Sequence, residues 1–150
     1  AGVGDSSIKT SVDVIDASHL QSVIKNRRRK PLFLNFWATW CPYCKETMDD
    51  IVKAHQEYKG KVDFLLVSID AIKGNVDEVP AIMKKYDISF PVSILEEESI
   101  KKVMQQLGSN WQGGIPATFL FDKNGQKKAF ISGAVTYETL NQKIGEVLNQ

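Results

Sequence analysis

Cys41 and Cys44 are the only cysteines in the chain, separated by Pro42 and Tyr43 in the run NFWATWCPYCKE, residues 35–46. A C-x-x-C pair is compatible with three chemistries: a structural staple, half of a metal site, or a dithiol that opens and closes during turnover. The surroundings choose among them. The near-continuous apolar run PLFLNFWA, residues 31–38, predicts a strand buried on both faces. From Pro42 to about Tyr58 the residues suit a helix, with Pro42 in the first turn, where proline is tolerated. Cys41 then stands at the carboxyl edge of a buried strand and at the N-terminus of a helix. Free backbone N–H groups and the positive end of the helix dipole favour a thiolate there. Cys44 lies one turn further in, close enough to attack a mixed disulfide formed on Cys41. Two roles follow: Cys41 attacks or is attacked, and Cys44 resolves.

The other two chemistries fit less well. A disulfide between Cys41 and Cys44 closes so short a loop that it removes little entropy from the unfolded chain. Structural zinc usually takes four ligands, and the two histidines, His19 and His55, are all the chain adds to the two thiols. His55 lies three turns beyond Cys44 and points away from the helix start. Both histidines read as ordinary surface or boundary residues. The sequence therefore predicts no metal, and no cofactor beyond the Cys41–Cys44 disulfide itself.

The bulk numbers set the frame. With 150 residues, 43% hydrophobic and 25% charged, the chain is expected to form a single domain, residues 1–150, with a core of its own. Nineteen basic and eighteen acidic side chains leave a net charge of +1, so no global field favours nucleic acid or membrane lipid. The local exception is RRRK, residues 27–30, read as cations that cap the end of a helix and stay solvated. A docking patch for an acidic partner is the alternative there. No stretch reaches the roughly 18 apolar residues of a membrane span. The chain begins at Ala1, which leaves room for a removed leader or for a membrane tether outside the sequence.

The elements around the cysteines alternate. SVDVI (11–15) predicts a short edge strand and residues 16–26 a helix capped by Asp16 or Ser18. VDFLLVSID (62–70) predicts a second buried strand, and residues 75–87 a helix that Pro80 either starts or kinks. FPVSIL (90–95) is a short strand. Residues 96–108 form a helix with Glu97–Lys101 and Glu98–Lys102 pairs, ended by Gly108. ATFLFDKNGQKKAFISG (117–133) predicts a hairpin of two alternating runs about an Asp-Lys-Asn-Gly turn, and a last helix follows, capped by Thr136. Strands separated by helices imply an α/β fold, a three-layer sandwich with a mixed central sheet flanked by helices. Trp111, in SNWQGG, is read as packing the segment before the hairpin onto the sheet, with an exposed contact for bound chains as the alternative.

A second signal lies about 70 residues beyond the cysteines, in GGIPATFLFDKNG, where a proline opens a strand after two glycines. Together the two segments give a resemblance to the thioredoxin superfamily, over about residues 12–149. FWATWCPYCKE matches its active-site segment and GIPATFLFDKNG its cis-proline segment. The resemblance implies a cis bond before Pro116, which faces the disulfide, and an Ile115 backbone that pairs with a substrate strand. It also implies that Trp40 shields the disulfide, with Pro42 and Tyr43 beside it in the substrate-binding set. About 45 residues separate Asp70 from Pro116. An inserted helix and strand of that length is similar to the TlpA/ResA-like branch.

That branch implies an extracytoplasmic thiol-disulfide oxidoreductase, often tethered to the membrane. It reduces cysteine-containing proteins, including apocytochromes c, and is fed by an upstream thiol-disulfide electron donor. The sequence departs from the thioredoxin pattern in three places. Asn35 stands where the buried acid falls, Leu66 where its lysine partner falls, and Asp49 where a helix-kinking proline falls. Asp70, Glu46 or a bound water then become the candidates to accept the Cys44 proton. The Pro-Tyr dipeptide is typical of glutaredoxins, whose potentials lie at roughly −200 to −230 mV, and implies an intermediate potential still on the reducing side. Three other readings remain. A thiol peroxidase would use Thr39 and an arginine around Cys41, an oxidant or isomerase would run the same dithiol the other way, and a peptide-binding module would need no chemistry.

Overall fold

The computed structural model describes residues 12–149. Among these residues six strands form one sheet: β1 (Asp13–Ile15), β2 (Leu32–Trp37), β3 (Asp63–Ser68), β4 (Val92–Leu95), β5 (Ala117–Phe121) and β6 (Lys127–Ser132). Their order is β1-β4-β3-β2-β5-β6. The first four pair parallel, while β5 and β6 run antiparallel, so the sheet is mixed. Five helices connect and cover it: α1 (Ala17–Lys25), α2 (Pro42–Tyr58), α3 (Val79–Lys85), α4 (Glu97–Leu107) and α5 (Tyr137–Leu148). Helix α2 packs with α5, and α1 with α4. Every residue of β2 is buried, as a strand covered on both faces requires.

The local chemistry of the chain explains most boundaries. Asp16 caps α1 by accepting from the His19 N–H at 2.8 Å, and Thr136 caps α5 by accepting from the Thr139 N–H at 3.3 Å. Helix α2 runs from Pro42 to Tyr58 without a break, because Asp49 supplies the N–H that a proline would lack. The hairpin turn between β5 and β6 is held by Asp122, whose carboxylate accepts from the N–H groups of Asn124 and Gln126.

Several expectations are revised. The strand predicted over 11–15 is Asp13–Ile15, and Ser11 lies outside the described residues. The single helix predicted over 75–87 is a 3-10 turn, Val76–Glu78, followed by α3, with Pro80 in the first turn of α3. Strand β5 does not alternate: all five residues are buried, because it lies between β2 and β6 with both faces covered. Neither Glu97–Lys101 nor Glu98–Lys102 closes into an ion pair; the pairs among the described residues are Arg27–Asp63, Lys128–Asp122 and Lys143–Glu146.

The RRRK run divides. Arg27 does cap α1, donating through Nε and Nη2 to the Val23 carbonyl at 3.1 and 2.7 Å. It is not solvated: the residue is buried and Nη1 reaches Asp63 at 3.4 Å. Burial lowers its pKa, and the Asp63 carboxylate opposes that shift. Arg28, Arg29 and Lys30 are exposed.

His55, on α2, is half-buried against Phe90 and Phe64, with ring centroids 4.4 and 5.2 Å away. Burial, and then the Lys59 charge, push its pKa below the ordinary 6.5. Below that value the unfolded chain therefore holds more protons than the folded one. The stability that neutral His55 contributes is present above about pH 6.5 and drains away as the pH falls. Urea midpoints measured from pH 7 to 5 are expected to fall more for the wild type than for His55→Phe. Equal slopes would remove His55 as the cause.

Candidate active site

The end of β2 sets the first half of the site. After Trp37 the chain turns through Ala38, Thr39 and Trp40, and the Cys41 N–H donates back to the Ala38 carbonyl at 3.2 Å. Cys41 is the N-cap of α2, in extended backbone, and its Sγ accepts from the Cys44 N–H at 3.1 Å. That bond aims a helix N-terminal donor directly at the sulfur. Cys41 and Cys44 are joined in a disulfide, with Cα atoms 5.3 Å apart. Cys41 is 5% exposed and Cys44 1%, so Cys41 is the less buried of the pair.

The other half arrives from the start of β5. The Ile115–Pro116 peptide is cis, and the Ile115 carbonyl oxygen lies 3.9 Å from Cys41 Sγ. Trp111 holds this segment from behind. It is buried, stacks on Phe36 at 4.4 Å and meets Phe119 edge-on at 5.6 Å, and its indole N–H donates to the Gly114 carbonyl at 2.8 Å. Trp111 is therefore a packing residue and offers no exposed contact. Pro42 and Tyr43 project into solvent, Tyr43 with 64% of its surface free, while Trp40 is half-buried beside them.

Asp70 is fully buried just beyond β3, and its donors are all identified. Its carboxylate accepts from the Thr39 N–H at 3.0 and 3.2 Å, from the Thr39 hydroxyl at 2.6 Å, and from the Ser68 hydroxyl. The Asp70 N–H donates to Ser68 Oγ at 2.9 Å. A buried carboxylate without a cationic partner is tolerable only with such donors, and here they tie β3 to the loop that carries Cys41. Glu46 is exposed on α2. Neither carboxylate hydrogen-bonds to Cys44. Asn35 is buried next to Leu66 in the β2–β3 register and donates through Nδ2 to Thr118 Oγ1 at 3.0 Å.

The peroxidase constellation is not assembled. Thr39 gives its hydroxyl to Asp70, and the only arginines, Arg27, Arg28 and Arg29, precede β2, whereas Cys41 follows its other end. Among the described residues no group of three or more His, Cys, Asp or Glu could hold a metal ion.

Residues 9–129 match the model of the AhpC/TSA family. A thiol-disulfide oxidoreductase ResA of Bacillus cereus is 32% identical over 127 residues, covering 85% of this chain and 69% of that protein. The chain belongs to the AhpC/TSA family, among the ResA-like thiol-disulfide oxidoreductases. ResA of Geobacillus thermodenitrificans is 32% identical over 121 residues; the match covers 80% of this chain but only 64% of that protein. In three dimensions the chain is similar to a thiol:disulfide interchange protein of Chlorobium tepidum, with a TM-score of 0.71, 23% identity and coverage of 85% and 84% of the two chains.

In this ResA-like domain the Thr39–Asp70–Ser68 cluster is the feature that sequence reasoning did not assemble. Asp70 and Thr39 were each visible, but only the β2–β3 register, Trp37 opposite Ser68, brings them together. Asp70→Ala would leave three buried donors unpaired and is expected to cost about 2–4 kcal/mol. Urea unfolding measures that loss. A cost under about 0.5 kcal/mol, the range of an ordinary surface change, would mean that the clamp does not support the fold.

Proposed function

We propose that this domain reduces disulfides in protein substrates outside the cytoplasm, with Cys41 as nucleophile and Cys44 as resolving residue. The observation that carries the reading is the unequal placement of the two cysteines. Cys41 is the less buried, and its Sγ lies at the N-terminus of α2, 3.9 Å from the Ile115 carbonyl oxygen, with Cys44 one turn further along the helix.

In the reduced protein the Cys41 thiolate attacks one sulfur of a substrate disulfide. A mixed disulfide forms and the other substrate sulfur leaves as a thiolate. Cys44 then attacks Cys41 Sγ, the mixed disulfide breaks, and the second substrate sulfur departs. Two electrons have passed to the substrate, and the domain is left with its own disulfide. An upstream dithiol donor restores it by the same exchange in reverse. The backbone at Ile115 and Pro116 pairs with an extended substrate segment, as in strand addition, while Trp40, Pro42 and Tyr43 contact its side chains.

The proton of Cys44 has to leave as it attacks. Asp70 is already committed to Thr39 and Ser68, and Glu46, two residues past Cys44, faces another side of the helix. The departing substrate thiolate is the acceptor we favour, since it is created at the site just when the proton must go. Substrate disulfides persist outside the cytoplasm, which places the work there, and apocytochromes c are the substrate class that the resemblance suggests. A tether would lie outside the described residues, none of whose helices is long and apolar enough to cross a membrane.

Reduction of insulin by a dithiol-recycled sample tests the roles: Cys41→Ser is expected to abolish turnover, and Cys44→Ser to accumulate mixed disulfides with substrate. Full turnover by Cys41→Ser would reverse the assignment. Direction is read by equilibrating the pair in graded thiol buffers with tryptophan fluorescence as the signal. A potential near or below about −230 mV is expected of a reductant. One between about −180 and −120 mV belongs to an oxidant or isomerase and would overturn the direction.

A further inference from the structure

One charged group beside the disulfide has no task in the exchange just described. Lys73 follows the turn Asp70–Ile72, and its Nζ lies 4.3 Å from the centroid of the Trp40 ring. Trp40 immediately precedes Cys41. The turn that carries Lys73 is fixed at its root, because the Lys73 N–H donates to the Asp70 carbonyl at 3.0 Å and the Asp70 side chain is clamped to Thr39. An ammonium over an indole face is attracted by the ring's negative quadrupole, so the side chain is oriented without a carboxylate. Lys73 takes part in none of the ion pairs among the described residues. It is exposed, and its neighbour Ile72 leaves 45% of its surface in solvent.

This combination differs from an ordinary surface lysine. The charge is held in place before any partner arrives, so little side-chain freedom is lost when an anion meets it. It also stands at a face where the N-terminus of α2 already contributes positive potential. An uncompensated cation there, next to an exposed apolar side chain, is complementary to a polypeptide with a carboxylate close to its disulfide.

We propose that Lys73 is a specificity-determining residue: it favours substrates that carry an acidic side chain adjacent to the cysteine under attack. The proposal rests on the disulfide-reductase reading above. A charge pair at an exposed site is worth roughly a two- to five-fold preference, and it acts mainly by steering encounter.

The test compares two disulfide-bonded peptides that differ only in Glu or Gln next to one cysteine, with kcat/KM measured for the pre-reduced protein at low salt. The wild type is expected to favour the Glu peptide by roughly two- to five-fold. Lys73→Gln should erase the preference, Lys73→Glu invert it, and Lys73→Arg, which keeps both charge and ring contact, retain it. Salt at about 0.5 M should compress the wild-type ratio toward one. The Cys41 thiolate titration, read by ultraviolet absorbance, separates the other role a nearby cation can have. If Lys73→Gln slows both peptides equally and shifts that titration, the lysine acts on the thiolate, and the specificity proposal fails. It also fails if the wild type treats the two peptides alike. Should the wild type reduce neither peptide nor insulin, the reductase reading itself is what fails.

Discussion

The site depends on a constraint imposed by the centre of the sheet. Strand β2 lies between β3, which runs parallel to it, and β5, which runs antiparallel. The end of β2, the end of β3 and the beginning of β5 therefore lie on one edge, with Trp37 opposite Ser68 and Phe36 opposite Ala117. Residues 39–44, 70–73 and 115–116 each begin within a few positions of that edge. They are far apart along the chain, and nothing local could bring them together. Buried hydrogen bonds along β2 do so, and they tolerate little slippage, since a shift of one residue would turn every β2 side chain to the opposite face.

Given that edge, two buried polar contacts orient what sits on it. Asp70 fixes the Cys41 loop through Thr39, and Trp111 fixes the Ile115 segment through the Gly114 carbonyl. They use different physics. The carboxylate is strong because its three donors replace the water it lost, and removing it strands those donors. The indole is held mainly by area, stacked on Phe36 and edge-on to Phe119, with one hydrogen bond to set its direction. The disulfide thus lies between two independently anchored loops. Its geometry relative to a bound strand is set by the core, while the loops themselves stay at the surface where a partner can reach them.

The parts of this arrangement that follow from local chemistry were legible in the residues. The apolar run 31–38, Pro42 at a helix start, Thr136 as a cap and the Asp-Lys-Asn-Gly turn each specify their own conformation, and each is found where it was expected. The parts that depend on distant neighbours were not. Arg27 looks like any basic residue after a helix, and nothing local announces that Asp63 arrives beside it from a distant strand. Strand β5 carries Thr118 in an otherwise apolar run, and nothing nearby announces that Asn35 waits across the sheet to donate to it. Asp70 was singled out from its place at a strand end, but which groups would occupy its oxygens was a question of register.

Asn35 and Leu66 show why that distinction bears on the chemistry. They are paired in register where the thioredoxin pattern places an acid and a lysine, so the two departures occupy one site and have one consequence. A buried ion pair would have to offset the desolvation of both charges. Asparagine needs no counter-ion and is held by Thr118, and leucine fills the opposite position with hydrocarbon. What is lost is a titratable pair on the two central strands. Asp70 does not take its place, since its oxygens are committed to Thr39 and Ser68. On the exchange proposed above, the proton of Cys44 passes to the departing substrate thiolate. On that reading, the absence of an internal base makes the second step of the exchange wait on a thiolate that the substrate supplies.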